Sequence, residues 1–373
     1  MTPARFPLVD AMRALAALSI VAFHVAFLGG GLTTTGAGPW LAGLNVGVPL
    51  FFAISGFLLY RPWVVARLAG SAPPALGIYA LRRLLRIGPA YWVALVAIVV
   101  VLGRDGVLAW PDALIYFGFA QAYFPERFSG GIGQAWTLTV ELAFYAALPL
   151  VALAVRRLPG PVLRGEALAL GGLVAVSVAW RLAVVSTLDP SEPAYFTLLT
   201  ALPAQLDVFA GGMALAVVSA ANINGARHSL GWLVAAAAYA LLATWRPDGN
   251  AARVLVEHEL QAVVALGLLA PAVLGAGGPV RRLLAWRPLA WVGLVSYGVY
   301  LWHLDVLREL DDRGLALALV AVGGLALSLA LGAASWYGVE RYAQRLGRRA
   351  AHAEPGEPRP ARPLPTTAET AGR

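Results

Sequence analysis

The run LVDAMRALAALSIVAFHVAFL, Leu8 to Leu28, is long and apolar enough to cross a bilayer, yet it carries Asp10, Arg13 and His24. A spanning helix takes about 20 mostly apolar residues. An ionisable side chain inside one costs several kcal/mol unless it faces protein or a water-filled cavity, so these three are expected to be functional. Arg13 and His24 are eleven positions apart. At about 100° per residue they come back to within about 20° of one direction, and at about 1.5 Å rise they stand roughly 16 Å apart along the axis. One stripe of one helix thus links a cation near one membrane surface to an imidazole near the other. A basic residue in front and small residues behind imitate a secretory leader, but the apolar core is too long and is interrupted by charge, so a retained first helix is expected.

Working outward, 59% of the 373 residues are hydrophobic and 13% charged, with a mean hydropathy of +0.71. A soluble globule carries about 25% charged residues. The expected class is therefore an all-α polytopic transmembrane bundle. The net charge of +8 comes from Arg in short loops beside apolar spans, which is the positive-inside pattern and argues against a nucleic-acid partner. The chain has no Lys and no Cys. Schiff-base chemistry, thiolate nucleophiles, disulfides, iron–sulfur clusters and thiolate zinc sites are thereby excluded. Any metal would have to use His and carboxylate, and neither a metal nor a bound cofactor is expected.

Apolar periods mark about ten spans, at 8–28, 44–61, 88–103, 136–155, 166–186, 198–220, 229–245, 257–275, 289–307 and 314–338. A cytoplasmic N-terminus gathers Arg67, Arg82, Arg83, Arg86, Arg156, Arg157, Arg164, Arg227, Arg281, Arg282, Arg287, Arg345, Arg348 and Arg349 on the inner side. Asp105, Glu126, Asp189, Glu192, Asp248, Asp311 and Asp312 then fall outside, and both termini are expected in the cytoplasm of a cell-membrane protein. Residues 107–128, aromatic and broken by Pro111 and Pro125, predict an interfacial or re-entrant helix on the outer side. The domain is expected to run over 1–345, and the Pro-, Ala-, Arg- and Glu-rich 346–373 to be a disordered cytoplasmic tail. No internal repeat is found.

Several residues could carry chemistry. Gly47, Ser55 and Gly56 in the second span permit close backbone approach, the bland reading for small residues. Arg82, Arg83 and Arg86 precede the third span, with Arg82 and Arg86 predicted on one face. Guanidinium forks suit phosphate, although for an isolated RRxxR on the inner side a headgroup anchor and topology signal is the favoured reading. Glu141 lies about two turns below the outer surface and needs a partner or serves as an acid or base. Arg181 and Asp207, at similar depth on neighbouring spans, predict a mutual ion pair, with a grip on a polar substrate as the alternative. Ser296, Tyr300 and His303, at intervals of four and three, line one face of the ninth span. His228, His258 and His352 are expected to be solvated, and Glu340 to sit in a local salt bridge with Arg341 and Arg345.

Taken in order, DAMRALAALSIVAFH (10–24), NVGVPLFFAISGFLL (45–59), RRLLRIGPAYW (82–92), WTLTVELAFY (136–145) and SYGVYLWH (296–303) resemble the acyltransferase 3 family of integral membrane O-acyltransferases. The resemblance spans about Leu8 to Glu340. It implies around ten spanning helices, an acyl-coenzyme A donor taken from the cytoplasm and a hydroxyl of a sugar or glycosylated product as acceptor. The family's first-helix Arg and His, with ten residues between them, match Arg13 and His24; its cytoplasmic RxxR matches Arg83 and Arg86; its WTL-VE glutamate matches Glu141. The acidic residue that often follows that glutamate is here Leu142. An appended esterase-like domain is not expected, so members that hand the acyl group to one are expected to be poor guides.

On this basis acyl-coenzyme A is expected to dock on Arg82, Arg83 and Arg86, with its thioester arm running past Arg13 to His24. His24 would accept the proton of the acceptor hydroxyl, or carry the acyl group itself, and Glu141 would orient or charge-balance the imidazolium. Tyr300 and His303, with Arg181 and Asp207, are candidates for binding the acceptor or an oxyanion. Two rival classes remain. A transporter of an acylated or anionic small molecule would also line spans with charge, and a metal-dependent hydrolase could use His24, His303 and Glu141, although paired His at helical spacing is absent.

Overall fold

The computed structural model describes residues 6–103, 105–223, 229–245, 247–275 and 277–352. Among these residues the chain is helical throughout its regular structure, with no strand. This is the outcome expected of backbone that must satisfy its own hydrogen bonds in hydrocarbon. Ten long helices carry the fold: α1 (Val9–Leu28), α2 (Gly47–Leu68), α3 (Leu76–Val101), α4 (Trp136–Arg156), α5 (Val162–Thr187), α6 (Leu202–Ala220), α7 (Leu230–Thr244), α8 (Asn250–Leu274), α9 (Arg287–Asp312) and α10 (Leu317–Ser335). A π-helical turn, Trp336–Glu340, follows, and then α11 (Arg341–His352). Proline opens α6 and α9 inside the first turn, where its missing N–H costs nothing.

Among the described residues, eight helical stretches are long and apolar enough to cross a membrane. Helix α7, at 15 residues, is short for a span, and α9 carries Asp305, Arg308, Glu309, Asp311 and Asp312 near its C-terminal end. Each of the ten expected spans lies on a helix, but eight are membrane-crossing by length and composition. Residues 107–128 hold no span. Short turns at Asp105–Leu108, Asp112–Phe117, Gln121–Tyr123 and Pro125–Arg127 are broken at the prolines and are pinned to α3 by bonds from Tyr91 Oη to the Tyr116 carbonyl (2.8 Å) and Trp92 Nε1 to the Phe117 carbonyl (3.0 Å). The expected tail begins inside α11, and residues 353–373 lie outside the described part.

Helices α1 and α2 form the centre. Helix α1 packs along α9, which is backed by α10; α2 packs along α6, which is backed by α5; α7 and α8 pair behind them, and α11 lies along α3. The α2–α6 crossing is backbone against backbone. A Cβ on Gly56 would stand 2.3 Å from the Phe209 carbonyl oxygen, and one on Gly212 2.1 Å from that of Ala53. Close approach at Gly56 is what its size predicted, since van der Waals contact rather than hydrophobic transfer holds helices together in lipid.

Candidate active site

Helices α1, α2, α3, α4 and α9 enclose a cavity of about 130 Å³. Arg13, Arg83 and Arg86 line it together with Glu141, Ser55 and Tyr145, and Thr137 and Tyr300 line it from α4 and α9. A second cavity of about 450 Å³ opens beside it, lined by Arg82, Trp63 and Tyr79 and sharing Leu58, Leu59 and Arg83 with the first. The two cavities adjoin along a boundary formed by Leu58, Leu59 and Arg83, with an Arg- and aromatic-lined mouth on one side and the bundle interior on the other. The three α3 arginines divide along it. Arg83 and Arg86 face the interior cavity, and Arg82 faces only the mouth. Arg82 and Arg86, four apart on one continuous helix, do share a face as expected, but Arg86 lines the interior cavity with Arg83, three residues away as in RxxR, while Arg82 lines the mouth. Because α3 starts at Leu76, twelve residues ahead of the expected span, the arginines sit on the helix itself and their side chains are aimed by it.

Glu141 is held by hydroxyls, with Ser55 Oγ donating at 2.5 Å and Tyr145 Oη at 2.6 Å to the same carboxylate oxygen. These bonds replace the water that a buried carboxylate loses, which costs several kcal/mol if left uncompensated. Arg83 lies over the Tyr145 ring (5.9 Å) and Arg86 over that of Tyr297 (5.9 Å). Arg83 Nε and one terminal nitrogen of Arg86 are buried N–H donors with no protein hydrogen-bond partner among the described residues. Glu340, expected beside Arg341 and Arg345, is instead buried. It accepts from Ser335 Oγ (3.1 Å) and faces Arg86 at 3.8 Å. The π-helical turn that carries Glu340 swings it inward, and such turns recur at functional sites.

His24 sits beyond this cavity, one turn past Ile20, which lines it. Its Nδ1 lies 3.0 Å from the Ile20 carbonyl oxygen and 3.1 Å from Nε2 of His303. His303 is fully buried, and its Nδ1 lies 2.8 Å from the Tyr300 carbonyl oxygen. The imidazole neighbour of His24 is therefore His303 on α9. Glu141, expected to orient His24, instead accepts hydrogen bonds from Ser55 and Tyr145. Tyr300 and His303 also lack the free donors that oxyanion stabilisation needs. The Tyr300 hydroxyl donates to the Gln134 carbonyl and accepts from Thr137 Oγ1 at 2.7 Å, and both ring nitrogens of His303 are engaged inside the protein.

Arg181 and Asp207 do not reach the cavity. They form the ion pair that their depth predicted, at 2.8 Å, inside a buried network in which Arg181 also donates to Ser177 Oγ (2.9 Å), the Ala204 carbonyl and Glu259. The role in gripping an acceptor is corrected to a structural one. His258, expected to be solvated, also joins the network, its Nε2 lying 3.1 Å from both oxygens of Asp207. His228 and the side chain of His352 lie outside the described residues. Sequence reading missed Ser55 and Tyr145 as the clasp of Glu141, although Tyr145 sits at the i+4 position that a helix brings onto one face. It also missed Glu166, a fully buried carboxylate bound by Tyr60 Oη (2.5 Å) and Arg67 (3.1 Å).

Residues 6–337 match the Acyltransferase domain family Acyl_transf_3. The chain belongs to the acyltransferase 3 family. The match covers every residue lining the two cavities, and Glu340 lies three residues past its end. The chain is 25% identical over 333 residues to "Peptidoglycan O-acetyltransferase OatA" of Listeria monocytogenes, covering 81% of this chain and 49% of that protein. It is 24% identical to "Putative peptidoglycan O-acetyltransferase YrhL" of Bacillus subtilis, covering 81% and 48%. It is 29% identical to "Nodulation protein 10" of Rhizobium leguminosarum bv. viciae, covering 80% and 82%. The chain thus spans about half the length of the first two relatives. No solved structure matches it. Its apolar helices and this membership make the chain a multi-pass membrane member of that family.

Proposed function

We propose that the chain transfers a short acyl group, acetyl in the simplest case, from cytoplasmic acyl-coenzyme A to a hydroxyl of a carbohydrate such as a cell-envelope polysaccharide. The observation that carries this reading is a pair of adjoining cavities lined by Arg13, Arg82, Arg83 and Arg86, with His24 one helical turn beyond Ile20 at the inner cavity's edge. The donor phosphates pair with Arg82 and Arg83, and Arg13 and Arg86 flank the arm as it enters the bilayer. In the transfer step His24 takes the proton of the acceptor hydroxyl. The acceptor oxygen bonds to the thioester carbonyl carbon, the carbon–sulfur bond breaks, and the imidazolium returns its proton to the departing thiolate to give free coenzyme A. The clustering of Arg in alternate loops supports a cytoplasmic mouth in a cell-membrane protein. Names of relatives carrying "peptidoglycan O-acetyltransferase" support a glycan acceptor.

Purified protein in detergent, given labelled acetyl-coenzyme A and oligosaccharide acceptors, tests the proposal by the appearance of an acylated sugar. His24→Ala is expected to abolish turnover with the fold retained, whereas Arg83→Ala raises KM for the donor with little change in kcat. Near-normal turnover by His24→Ala defeats the mechanism. Label that stays on wild-type protein in the absence of acceptor, and is lost in His24→Ala, replaces direct transfer by an acyl-histidine route.

A further inference from the structure

We propose that His303 is the positioning residue that sets the tautomer of His24, so that the proton-accepting nitrogen of the reaction is Nε2. The inference rests on the acyl-transfer reading and assigns the chemistry of one ring nitrogen within it. It starts from carbonyl oxygens, which can only accept hydrogen bonds. His303 Nδ1 lies 2.8 Å from the Tyr300 carbonyl oxygen and 3.2 Å from that of Val299, so Nδ1 bears the proton. In the neutral ring Nε2 is then a lone pair, one donor and one acceptor being what an imidazole has.

That lone pair points at His24 Nδ1 across 3.1 Å. Nδ1 of His24 also faces a carbonyl oxygen, that of Ile20, at 3.0 Å. Both neighbours of Nδ1 demand a proton there, and a single N–H is shared between them. Nε2 of His24 is left with the free lone pair, and no protein partner for it is found among the described residues. The reverse arrangement fails on the same distances. A proton on His303 Nε2 would make His24 Nδ1 an acceptor, setting its lone pair against the Ile20 oxygen.

The chain of contacts therefore runs from the Tyr300 carbonyl through His303 to His24, ending in a base. It is the logic of a triad whose orienting member is a second imidazole. When Nε2 takes the acceptor's proton, the Nδ1–H of the resulting imidazolium already points at the His303 lone pair, so charge develops without reorganisation. His303 itself gains and loses no proton. The same bond ties the base to α9, since His24 and His303 are 279 residues apart in sequence.

The test compares two replacements of opposite character. His303→Gln keeps an acceptor oxygen within reach of His24 Nδ1; His303→Leu keeps the volume and removes the acceptor. Tautomer control predicts that His303→Leu lowers kcat about 100-fold or more, while His303→Gln stays within about 10-fold of wild type, the donor KM changing less than about 3-fold in both. A packing role predicts the opposite order, because a buried amide harms a core that leucine fills. An acceptor-binding role predicts a raised acceptor KM at unchanged kcat. Either result overturns the proposal. A second readout needs no turnover. The nitrogen-15 spectrum of histidine-labelled protein, with His24 assigned by its loss in His24→Ala, is expected to show the unprotonated nitrogen as Nε2 in wild type and a mixture of tautomers in His303→Leu. An Nδ1 lone pair in wild type refutes the proposal even if the protein transfers acyl groups. Absence of transfer with the Nε2 lone pair in place refutes the acyl-transfer reading instead.

Discussion

Asp207 shows what a single buried charge demands of its surroundings. Its carboxylate meets Arg181 at 2.8 Å and His258 at 3.1 Å, while Arg181 is 1% exposed. Removing one member of a buried pair leaves the other uncompensated and costs about 3–5 kcal/mol. Asp207→Asn is therefore expected to lower the thermal midpoint of the detergent-solubilised protein sharply, and the double change Arg181→Leu, Asp207→Leu to recover part of the loss; a midpoint unmoved by Asp207→Asn contradicts the network. Glu340 and Arg86 make a different case. At 3.8 Å, with both side chains largely buried, they are close enough to couple, and Arg86 also lines the cavity. A double-mutant cycle with Glu340→Gln and Arg86→Gln, read as KM for the donor, is expected to be non-additive by at least about 0.5 kcal/mol; additive effects mean that Glu340 does not tune Arg86. Neither the partner of Glu340 nor that of His258 was legible in the chain, because each comes from a helix far away in sequence and a local rule sees only Arg341 or the flanking glutamates.

Among the helices, α1 was the most readable. Its Arg–His stripe follows from 3.6 residues per turn and needs no knowledge of the fold. The α2–α6 crossing was half readable, since Gly56 announced a close contact without saying with what. Gly212 answers from the other side. A side chain there must push two backbones apart, and overpacking costs about 1–3 kcal/mol. Gly212→Val is expected to reduce folded yield and thermal midpoint, with Gly36→Val, whose Cβ meets nothing within 4 Å, as the neutral control; equal behaviour of the two removes the close crossing. The aromatic stretch after α3 was correctly denied a span, since its prolines break helices. Its division into separate turns tied to Tyr91 and Trp92 depends on α3 as a template.

The arrangement of the bundle in the membrane is tested most directly through what the chain lacks. With no Cys in 373 residues, single cysteines placed at Ser71, Arg157, Ser191 and Arg313 report sidedness without background. An impermeant maleimide added to intact cells is expected to label the cysteines at 191 and 313, and those at 71 and 157 only after permeabilisation. The reverse pattern inverts the orientation and moves the arginine-lined mouth away from the coenzyme A pool, and labelling of all four from outside contradicts the alternation of loops.

Membership of the membrane class, the location of the helices and the residues facing along α1 were already decided by hydropathy and local period, because these are properties of neighbours on one chain. Which helices meet was not. A helix that is apolar all round presents no polar face to mark its inner side, and in lipid the choice among faces rests on close packing and on a few buried hydrogen bonds. Hence Glu141 closing on Ser55, Glu340 turning to Arg86 and His303 reaching His24 became visible once the bundle was assembled, each contact being made across helices that local sequence cannot pair.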